Sequence, residues 1–380
     1  MNIAKKTVSW LENRFCTPAY GGWVLLAMAV CLFAAAINTM SGWLYVISGT
    51  IFALLGLAAF GAMRSPKSIK INRLPIPPVS AGDQLTIELE LENPTPKPKT
   101  LLQVSDFLPL VLGKPITKPI EVIPPKGSYR LTYYHPTQQR GIYYWHEVHL
   151  RSGNPLGLFW SRRRRSAPAK AIVYPTVFPL TNCPLVDTIG QDDDTEFYSD
   201  RYFTAANQGI TKSLRPYRYG DSTRLIHWRT SARYGELQVR ELEVITGGQE
   251  VIICLDSGSN WNAEDFEQAV IAAASLYFYA KNAQRNVKLW TAKTGLIQGN
   301  RVVLEALAGT YPQEEAIAPE PPKMPLIWIS QTPTQVDSLP KGSRCVFFPK
   351  AEETLMISHS LGLTIDREEP LKSQLQKPLR

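Results

Sequence analysis

Two long stretches without a charged residue dominate the beginning of this chain. Residues 21–38 and 43–63 contain no Lys, Arg, Asp or Glu. A helix rises about 1.5 Å per residue, so each stretch is long enough to cross about 30 Å of hydrocarbon. Backbone groups in lipid must find their partners within the segment, which favours helices. The sequence therefore predicts a transmembrane α-hairpin over residues 21–63.

Basic residues lie before the first stretch and after the second, and both of these flanks are on the same side of the membrane in a hairpin. Three precede it and four follow it: Lys5, Lys6, Arg14, Arg64, Lys67, Lys70 and Arg73. Because basic flanks stay in the cytoplasm, we expect a multi-pass protein of the inner or plasma membrane with both termini and all soluble domains cytoplasmic. Residues 1–20 then form a cytoplasmic N-terminal segment. A cleaved signal peptide is the alternative, but the second stretch would still leave the remainder in the cytoplasm.

Charge and cysteine content narrow the function classes. The net charge is +8, and much of the excess lies beside the apolar stretches, where anionic lipid is its nearest partner. We therefore expect no nucleic-acid partner. The five cysteines are scattered without C-x-x-C spacing, so the sequence indicates neither a disulfide framework nor a zinc site.

Short apolar runs separated by prolines follow the hairpin. Over residues 68–180 these runs alternate with period two and no helical pattern interrupts them, which is typical of an antiparallel β-sandwich. Within this region we expect the four consecutive arginines 162–165 to lie at a solvated hairpin end. Residues 181–211 then read as an exposed acidic linker.

The pattern changes again near residue 250. Apolar strand-like runs alternate with helical periodicity over residues 250–366, which predicts a doubly wound α/β domain with a largely parallel sheet. A short tail, residues 367–380, completes the chain. The fold class is therefore multidomain: a membrane hairpin, a β-sandwich and an α/β domain.

Between the sandwich and the α/β domain, residues 212–249 carry the densest mixture of arginines and aromatics. Asp221 follows a glycine and can cap a helix that begins at Ser222 and runs for at most about three turns. In such a helix Arg224 and Trp228 share a face. The strand that follows slips by one residue at Arg240–Glu241, which suggests a bulge.

This core motif supports three hypotheses. The first is a binding or interdomain core with a buried or interdomain salt-bridge network, formed by Arg215, Arg218, Asp221, Arg224, Trp228, Arg233, Glu236 and Glu241. The second is a hydrolase, since Asp221, His227 and Ser231 are the residue types of a catalytic triad. The third is anion or nucleic-acid binding by the arginines. The absence of a nucleophile elbow around Ser231 weighs against the hydrolase.

The spacing of this motif resembles a known bacterial family, domain of unknown function 58. The positions that carry the resemblance are Leu214, Arg215, Tyr217, Arg218, Gly220, Asp221, Arg224, Ile226, His227, Trp228, Ser231, Ala232, Arg233, Glu236, Val239 and Glu241. The resemblance implies that the sandwich is immunoglobulin-like and that the α/β domain is von Willebrand A-like. It also implies a partner, a MoxR-type AAA+ ATPase.

A von Willebrand A domain places Asp-x-Ser-x-Ser after its first strand and holds magnesium there. This chain has Asp256-Ser257-Gly258-Ser259-Asn260, a degenerate site in which Gly258 lacks a hydroxyl and Asn260 offers an amide. Because Mg²⁺ demands nearly complete octahedral ligation, we expect no magnesium and no other cofactor. We therefore predict a non-enzymatic, membrane-anchored adaptor or assembly factor that acts with the ATPase through its von Willebrand A-like domain.

Overall fold

The computed structural model describes residues 12–13, 15–189, 210–218, 223–243, 250–318, 320–322, 324–332, 339–349 and 362–378. These residues belong to two compact units, Met1–Pro175 and Thr176–Arg380. The acidic run at residues 191–200 and Asp221 of the core motif lie outside the described residues.

Two apolar helices open the first unit and confirm the predicted hairpin helices. Helix α1 spans Tyr20–Thr39 and helix α2 spans Gly42–Arg64. Met40 ends α1 in the left-handed conformation, with φ of 52°. Only 17% and 22% of the most apolar windows of these helices are buried, whereas the core helix of a water-soluble domain is mostly buried. Both helices are long and apolar enough to cross a membrane.

The described residues of the first unit contain nine strands, and the longer ones follow the alternating sequence pattern. They are β1 Thr17–Pro18, β2 Lys70–Arg73, β3 Val79–Ser80, β4 Gln84–Glu92, β5 Lys99–Asp106, β6 Ile116–Ile123, β7 Ser128–Pro136, β8 Gly141–Ser152 and β9 Phe159–Tyr174. The residues of β4 alternate strictly between a buried and a more exposed face, and this alternation sets the register of the strand. A one-residue slip would turn its leucines to solvent.

These strands form two sheets that share one apolar core, here called the β domain. One sheet has the order β1-β9-β8-β5-β6, with β3 attached to β9, and the other has the order β2-β4-β7. All the neighbouring strands are antiparallel except β3 and β9. Buried residues of both sheets, such as Leu89 and Leu150, belong to one cluster.

The arginine run lies inside strand β9 and only Arg164 of it is exposed, so the expectation of a solvated hairpin end is wrong. Arg162 and Arg151 both contact the buried carboxylate of Glu12, at 3.2 and 2.5 Å. Arg165 donates to the carbonyls of Pro66 and Lys67 at 3.0 and 2.7 Å. The run therefore binds chain segments immediately before α1 and after α2.

The second unit contains a mostly parallel sheet, as the alternating pattern predicts. Its strands are β12 Glu250–Leu255, β13 Asn286–Thr291, β14 Gly295–Ile297, β15 Leu326–Ser330, β16 Arg344–Phe347 and β17 Gly362–Thr364. Their order is β14-β13-β12-β15-β16-β17, and only the edge strand β14 is antiparallel. Strand β14 is absent from the sequence expectation because its three residues are too few to show a period.

Helices cover one face of this sheet. They are α5 Ala263–Asn282, α6 Asn300–Gly309 and α7 Leu371–Leu375. Helix α5 begins where Asn262 accepts a hydrogen bond from the backbone N–H of Glu264, as expected for an N-cap. Phe266, Tyr277 and their neighbours on α5 bury against β12, β13 and β15. The sequence pattern also predicts a helix over residues 351–362, and of these residues 351–361 lie outside the described residues.

The first part of the predicted acidic linker belongs to this core instead. Helix α3 spans Pro184–Asp187, and Leu185 and Val186 are 1% and 0% exposed. Tyr279 of α5 donates to the Asp187 carboxylate at 3.0 Å. The interpretation as an exposed linker is therefore wrong for residues 183–189, because their apolar side chains pack into the α/β core.

Candidate functional site

The core motif folds as a hairpin with one short helix. Strand β10, Ile210–Pro216, pairs antiparallel with β11, Gln238–Glu243. Between them lie a 3-10 turn at Thr223–Leu225 and helix α4 at Trp228–Tyr234. The prediction of a helix that begins at Ser222 is wrong, since Thr223–Leu225 form a 3-10 turn and α4 begins at Trp228. Arg224 and Trp228 therefore do not share a helical face.

Local capping explains where α4 begins and ends. The His227 ring accepts a hydrogen bond from the Thr230 N–H through Nδ1 at 3.2 Å, which satisfies one of the unpaired donors of the first turn. Gly235 ends the helix in the left-handed region, with φ of 74°. His227 thus takes the capping role that the sequence assigned to Asp221.

The irregularity predicted in this hairpin lies on the opposite strand. Thr211 pairs with Leu242 and Ser213 pairs with Glu241, so Lys212 is the additional residue. The bulge therefore belongs to β10 and faces the predicted slip at Arg240–Glu241. A bulge leaves one residue unpaired on the bulged strand. The periodicity of β11 alone does not show which of the two paired strands carries that residue.

The triad residues that the structure describes do not form a catalytic dyad. The Ser231 hydroxyl donates to the His227 carbonyl at 3.1 Å and accepts from the Gln238 N–H at 2.9 Å. Ser231 is 7% exposed, while the imidazole of His227 faces Thr230. The serine therefore ties α4 to β11, and its hydrogen is not shared with a base. Asp221 lies outside the described residues.

The motif exposes the side chains that were expected to form its buried network. Arg218, Arg229, Arg233 and Glu236 are all exposed, and Trp228 is 65% exposed. The expected burial of this network is therefore wrong for these residues. The structure does not describe the side chains of Arg224 and Glu241. Arg215 is half-buried.

Helix α4 consequently presents aromatic and basic groups together. Its only buried residue is Ser231, and Tyr234 at its end is 70% exposed. We call Trp228, Arg229, Arg233 and Tyr234 the α4 surface. Tyr234 is not among the residues predicted from the sequence. The available signal was the short distance from Ser231 to Gly235, which leaves too few residues for a second buried position.

The degenerate metal motif lies at the carboxyl end of β12. The Asp256 carboxylate is 6% exposed and accepts through Oδ2 from the hydroxyls of Ser259 and Ser330, at 2.6 and 2.8 Å. The Asn260 amide oxygen accepts from Gln313 at 2.9 Å. Among the described residues, no group of three or more His, Cys, Asp or Glu side chains could hold a metal ion.

We predict that magnesium will not stabilise this protein. The Asp256 carboxylate already accepts two hydroxyl hydrogen bonds, and Gly258 offers no side-chain ligand, so few fixed protein ligands would offset the cost of dehydrating the ion. Thermal unfolding of the full-length protein in detergent, with and without millimolar Mg²⁺, measures this. A rise in the unfolding midpoint that Asp256→Ala abolishes, but the exposed variant Glu315→Gln retains, would contradict the prediction.

Cysteine chemistry is not available in the α/β core. All five cysteines are free, and Cys183, Cys254 and Cys345 are buried. Burial raises the pKa of the Cys183 thiol and of the Cys345 thiol, each to about 11. These thiols stay protonated at neutral pH and are poor nucleophiles.

The fold and the motif define a class of protein. Its members combine a helical hairpin capable of crossing a membrane, an antiparallel β domain, and an arginine-rich hairpin followed by a mostly parallel sheet. Residues 213–300 match the family model "Protein of unknown function DUF58". This match confirms the resemblance to the DUF58 family that the core motif carries.

One curated relative and several solved structures are similar to parts of the chain. "Uncharacterized protein YeaD" of Bacillus subtilis (strain 168) is 24% identical over 237 residues, which cover 61% of this chain and 56% of that protein. The chain thus spans little more than half the length of this relative. The CARDB domain of PF1109 from Pyrococcus furiosus (12% identity, 26% of this chain, 94% of that chain) aligns with a TM-score of 0.19. The alkylpurine DNA glycosylase AlkC of Pseudomonas fluorescens (14% identity, 36% of this chain, 40% of that chain) aligns with a TM-score of 0.20. Scores this low carry no argument about function.

Proposed function

We propose that this protein is a non-enzymatic, membrane-anchored adaptor or assembly factor. The observation that carries the proposal is the α4 surface. Trp228 and Tyr234 leave 65% and 70% of their surface exposed, with Arg229 and Arg233 exposed beside them. Tryptophan, tyrosine and arginine are the residues most enriched at binding hot spots. Large exposed aromatics on a helix with one buried residue favour a docking surface over a catalytic centre.

A von Willebrand A-like architecture for the second unit is supported by its sheet. The six strands follow the crossover order β14-β13-β12-β15-β16-β17, with a reversed edge strand. In sheets of this order, ligands bind beyond the carboxyl ends of the strands, at the point where the order reverses. Asp256 follows β12 at that point, and its carboxylate is occupied by Ser259 and Ser330. This arrangement favours recognition of a protein over coordination of a metal.

The proposed partner is a MoxR-type AAA+ ATPase, which the family resemblance implies. The α4 surface carries two exposed arginines, so the contacting face of the ATPase should be acidic. We also propose that the soluble units lie in the cytoplasm, where such an ATPase works, because the basic residue Arg64 ends α2 and Lys67 and Lys70 follow it. An ATPase partner would supply the energy for remodelling, and this chain would supply the membrane anchor and the docking surface.

Trp228→Ala tests this proposal. Because Trp228 is largely exposed, the substitution should leave the unfolding midpoint almost unchanged, whereas a hot-spot tryptophan contributes about 2 kcal/mol or more to binding. We therefore expect at least about a 30-fold weaker affinity for the purified MoxR-type ATPase of the same cell. Binding of the full-length protein in nanodiscs, followed by surface plasmon resonance, measures it.

Tyr134→Ala is the matched control, since Tyr134 is an aromatic residue of β7 that is 63% exposed and lies outside the core motif. It should bind the ATPase as the wild type does. Wild-type protein that fails to bind the ATPase would refute the partner. Equal affinity of the Trp228→Ala and Tyr134→Ala variants would refute the role of the α4 surface.

A further inference from the structure

The loop between β8 and β9 contacts both open ends of the helical hairpin. This β8–β9 loop comprises residues 153–158. The Leu158 carbonyl accepts a hydrogen bond from the Ala19 N–H, directly before α1, at 2.8 Å. A Cβ placed on Gly22 of α1 would lie 2.3 Å from the Leu158 oxygen, and one on Gly61 of α2 would lie 2.6 Å from Pro155 Cδ. Two glycines therefore let the loop lie directly against the helices.

The position of these glycines fixes the depth of the loop in a membrane. Helix α1 has 20 residues and is about 30 Å long, which is the thickness of the hydrocarbon layer. Gly22 lies in its first turn, and Gly61 lies in the last turn of α2. The loop that touches both glycines is thus placed where the hydrocarbon gives way to the headgroups.

Apolar side chains at this depth point away from the protein. Leu156, in the middle of the loop, is 51% exposed, and Leu101 is 45% exposed. The two are neighbours through the loop, because the Gly153 N–H donates to the Leu101 carbonyl at 2.9 Å. On α1, Tyr20 and Trp23 are 88% and 59% exposed. Amphipathic aromatics of this kind favour the membrane–water interface.

Exposed basic residues surround the same end of the hairpin. Arg64 ends α2, and Lys67 follows it in the next turn, and both are exposed. Apolar side chains inserted at the interface together with lysine and arginine beside it are the composition of a surface that binds phospholipid. A protein partner would be expected to bury Leu156 without any requirement that it lie at this depth.

We propose that the β8–β9 loop is a second membrane contact, in which Leu156 and Leu101 enter the headgroup region of the bilayer that the hairpin crosses. This inference rests on the membrane-spanning hairpin of the proposed function. The contact fixes the β domain against the bilayer surface, because the loop belongs to the same sheet as β5 and β9. The occupant is a phospholipid interface.

Fluorophore labelling of the full-length protein in phosphatidylcholine–phosphatidylglycerol vesicles tests the proposal. In a background with Cys16→Ser and Cys31→Ser, an environment-sensitive nitrobenzoxadiazole label is attached at Leu156→Cys. We expect its emission to shift to shorter wavelength and to lose intensity when lipids carry a doxyl quencher near the headgroup. Leu101→Cys provides a second position, should the label at residue 156 disturb folding. The remaining cysteines are buried.

Two controls separate the possible outcomes. Leu110 is 96% exposed and follows the far end of β5, roughly 25 Å from Leu101. A label at Leu110→Cys should therefore show neither the wavelength shift nor the quenching. In a separate variant that carries only Cys16→Ser, a label on the native, exposed Cys31, near the middle of α1, reports the hairpin. If it responds to deep quenchers while residues 101 and 156 behave like residue 110, the loop contact is refuted alone. If Cys31 is also unquenched, the membrane hairpin and the loop contact are both refuted.

Discussion

Replacing Asp106 by alanine is expected to reduce the free energy of unfolding of the β domain by about 3–5 kcal/mol. Asp106 is fully buried in the apolar core of the first unit. Its carboxylate accepts two hydrogen bonds from the Arg73 guanidinium, at 2.6 and 2.9 Å, and the side chains of both partners are 1% exposed. The substitution would leave a buried guanidinium without its counter-charge.

Two further groups depend on the same carboxylate. The Tyr133 hydroxyl donates to Asp106 Oδ2, and the Trp145 indole N–H donates to Oδ1 at 3.2 Å. Burial and the adjacent carboxylate raise the pKa of Tyr133 above its ordinary value, so the hydroxyl remains a donor at any physiological pH. Removing the acceptor therefore leaves several buried donors unsatisfied at once, each at a cost in stability.

Thermal unfolding in detergent measures the effect, and the expected loss corresponds to a midpoint lower by roughly 6–20 °C for a unit of this size. Glu88→Gln is the matched control. Glu88 faces Arg130 at 4.0 Å on the surface of the same domain, where the arginine side chain is 58% exposed, so its loss should change the stability by less than about 0.5 kcal/mol. Equal midpoints for the Asp106→Ala and Glu88→Gln variants would show that the buried network contributes little.

Phe266→Ala is expected to cost the second unit about 3–5 kcal/mol, because it removes a large aromatic side chain from a packed core. Phe266 is 0% exposed on α5, and its ring packs edge-on against Trp261 at 5.5 Å between centroids. Trp261 in turn contacts Phe348 at 5.8 Å. The cavity left behind would lie between α5 and the carboxyl end of the parallel sheet.

Chemical unfolding of the full-length protein, followed by the near-ultraviolet circular dichroism of its tryptophans, measures this loss. Gln268 lies two residues further along α5 on the exposed face, so Gln268→Ala should leave the free energy of unfolding almost unchanged. If both variants unfold at the same denaturant concentration, Phe266 does not support the core as its burial indicates. Because Asp256 and the carboxyl edge of β12 lie beside Trp261, whose indole N–H donates to the Asp256 carbonyl at 2.6 Å, a displaced Trp261 would also disturb the proposed recognition edge.

The elements that local pattern alone specifies could be predicted from the sequence. The charge-free stretches give α1 and α2, since length and hydrophobicity are sufficient to predict a helix that is able to cross a membrane. Strict alternation gives β4, and the continuous apolar run before Asp256 gives β12. Helix α5 follows from its period and from Asn262 at its start. In each case the residues that determine the element lie within it.

The core motif shows where such patterns fail. His227 resembles a catalytic base in sequence, but its ring nitrogen caps α4 because Thr230 lies one turn ahead of it. Ser231 resembles a nucleophile, but Gln238 of a neighbouring strand binds its hydroxyl. Trp228 resembles a core residue by composition, and its 65% exposure depends on what packs around α4. Burial is a property of neighbours, which the spacing of one segment does not contain.

The sequence by itself thus indicated the family resemblance, the hairpin helices and the order of strand-rich and alternating regions, because short-range periodicity and apolar length are properties of each segment. Only the tertiary structure decided which charges are buried together, as in Arg73 and Asp106, 33 positions apart. It alone also brought the β8–β9 loop to the two glycines of the hairpin. These contacts join residues that are distant in the chain, and their formation depends on the packing of whole sheets and helices.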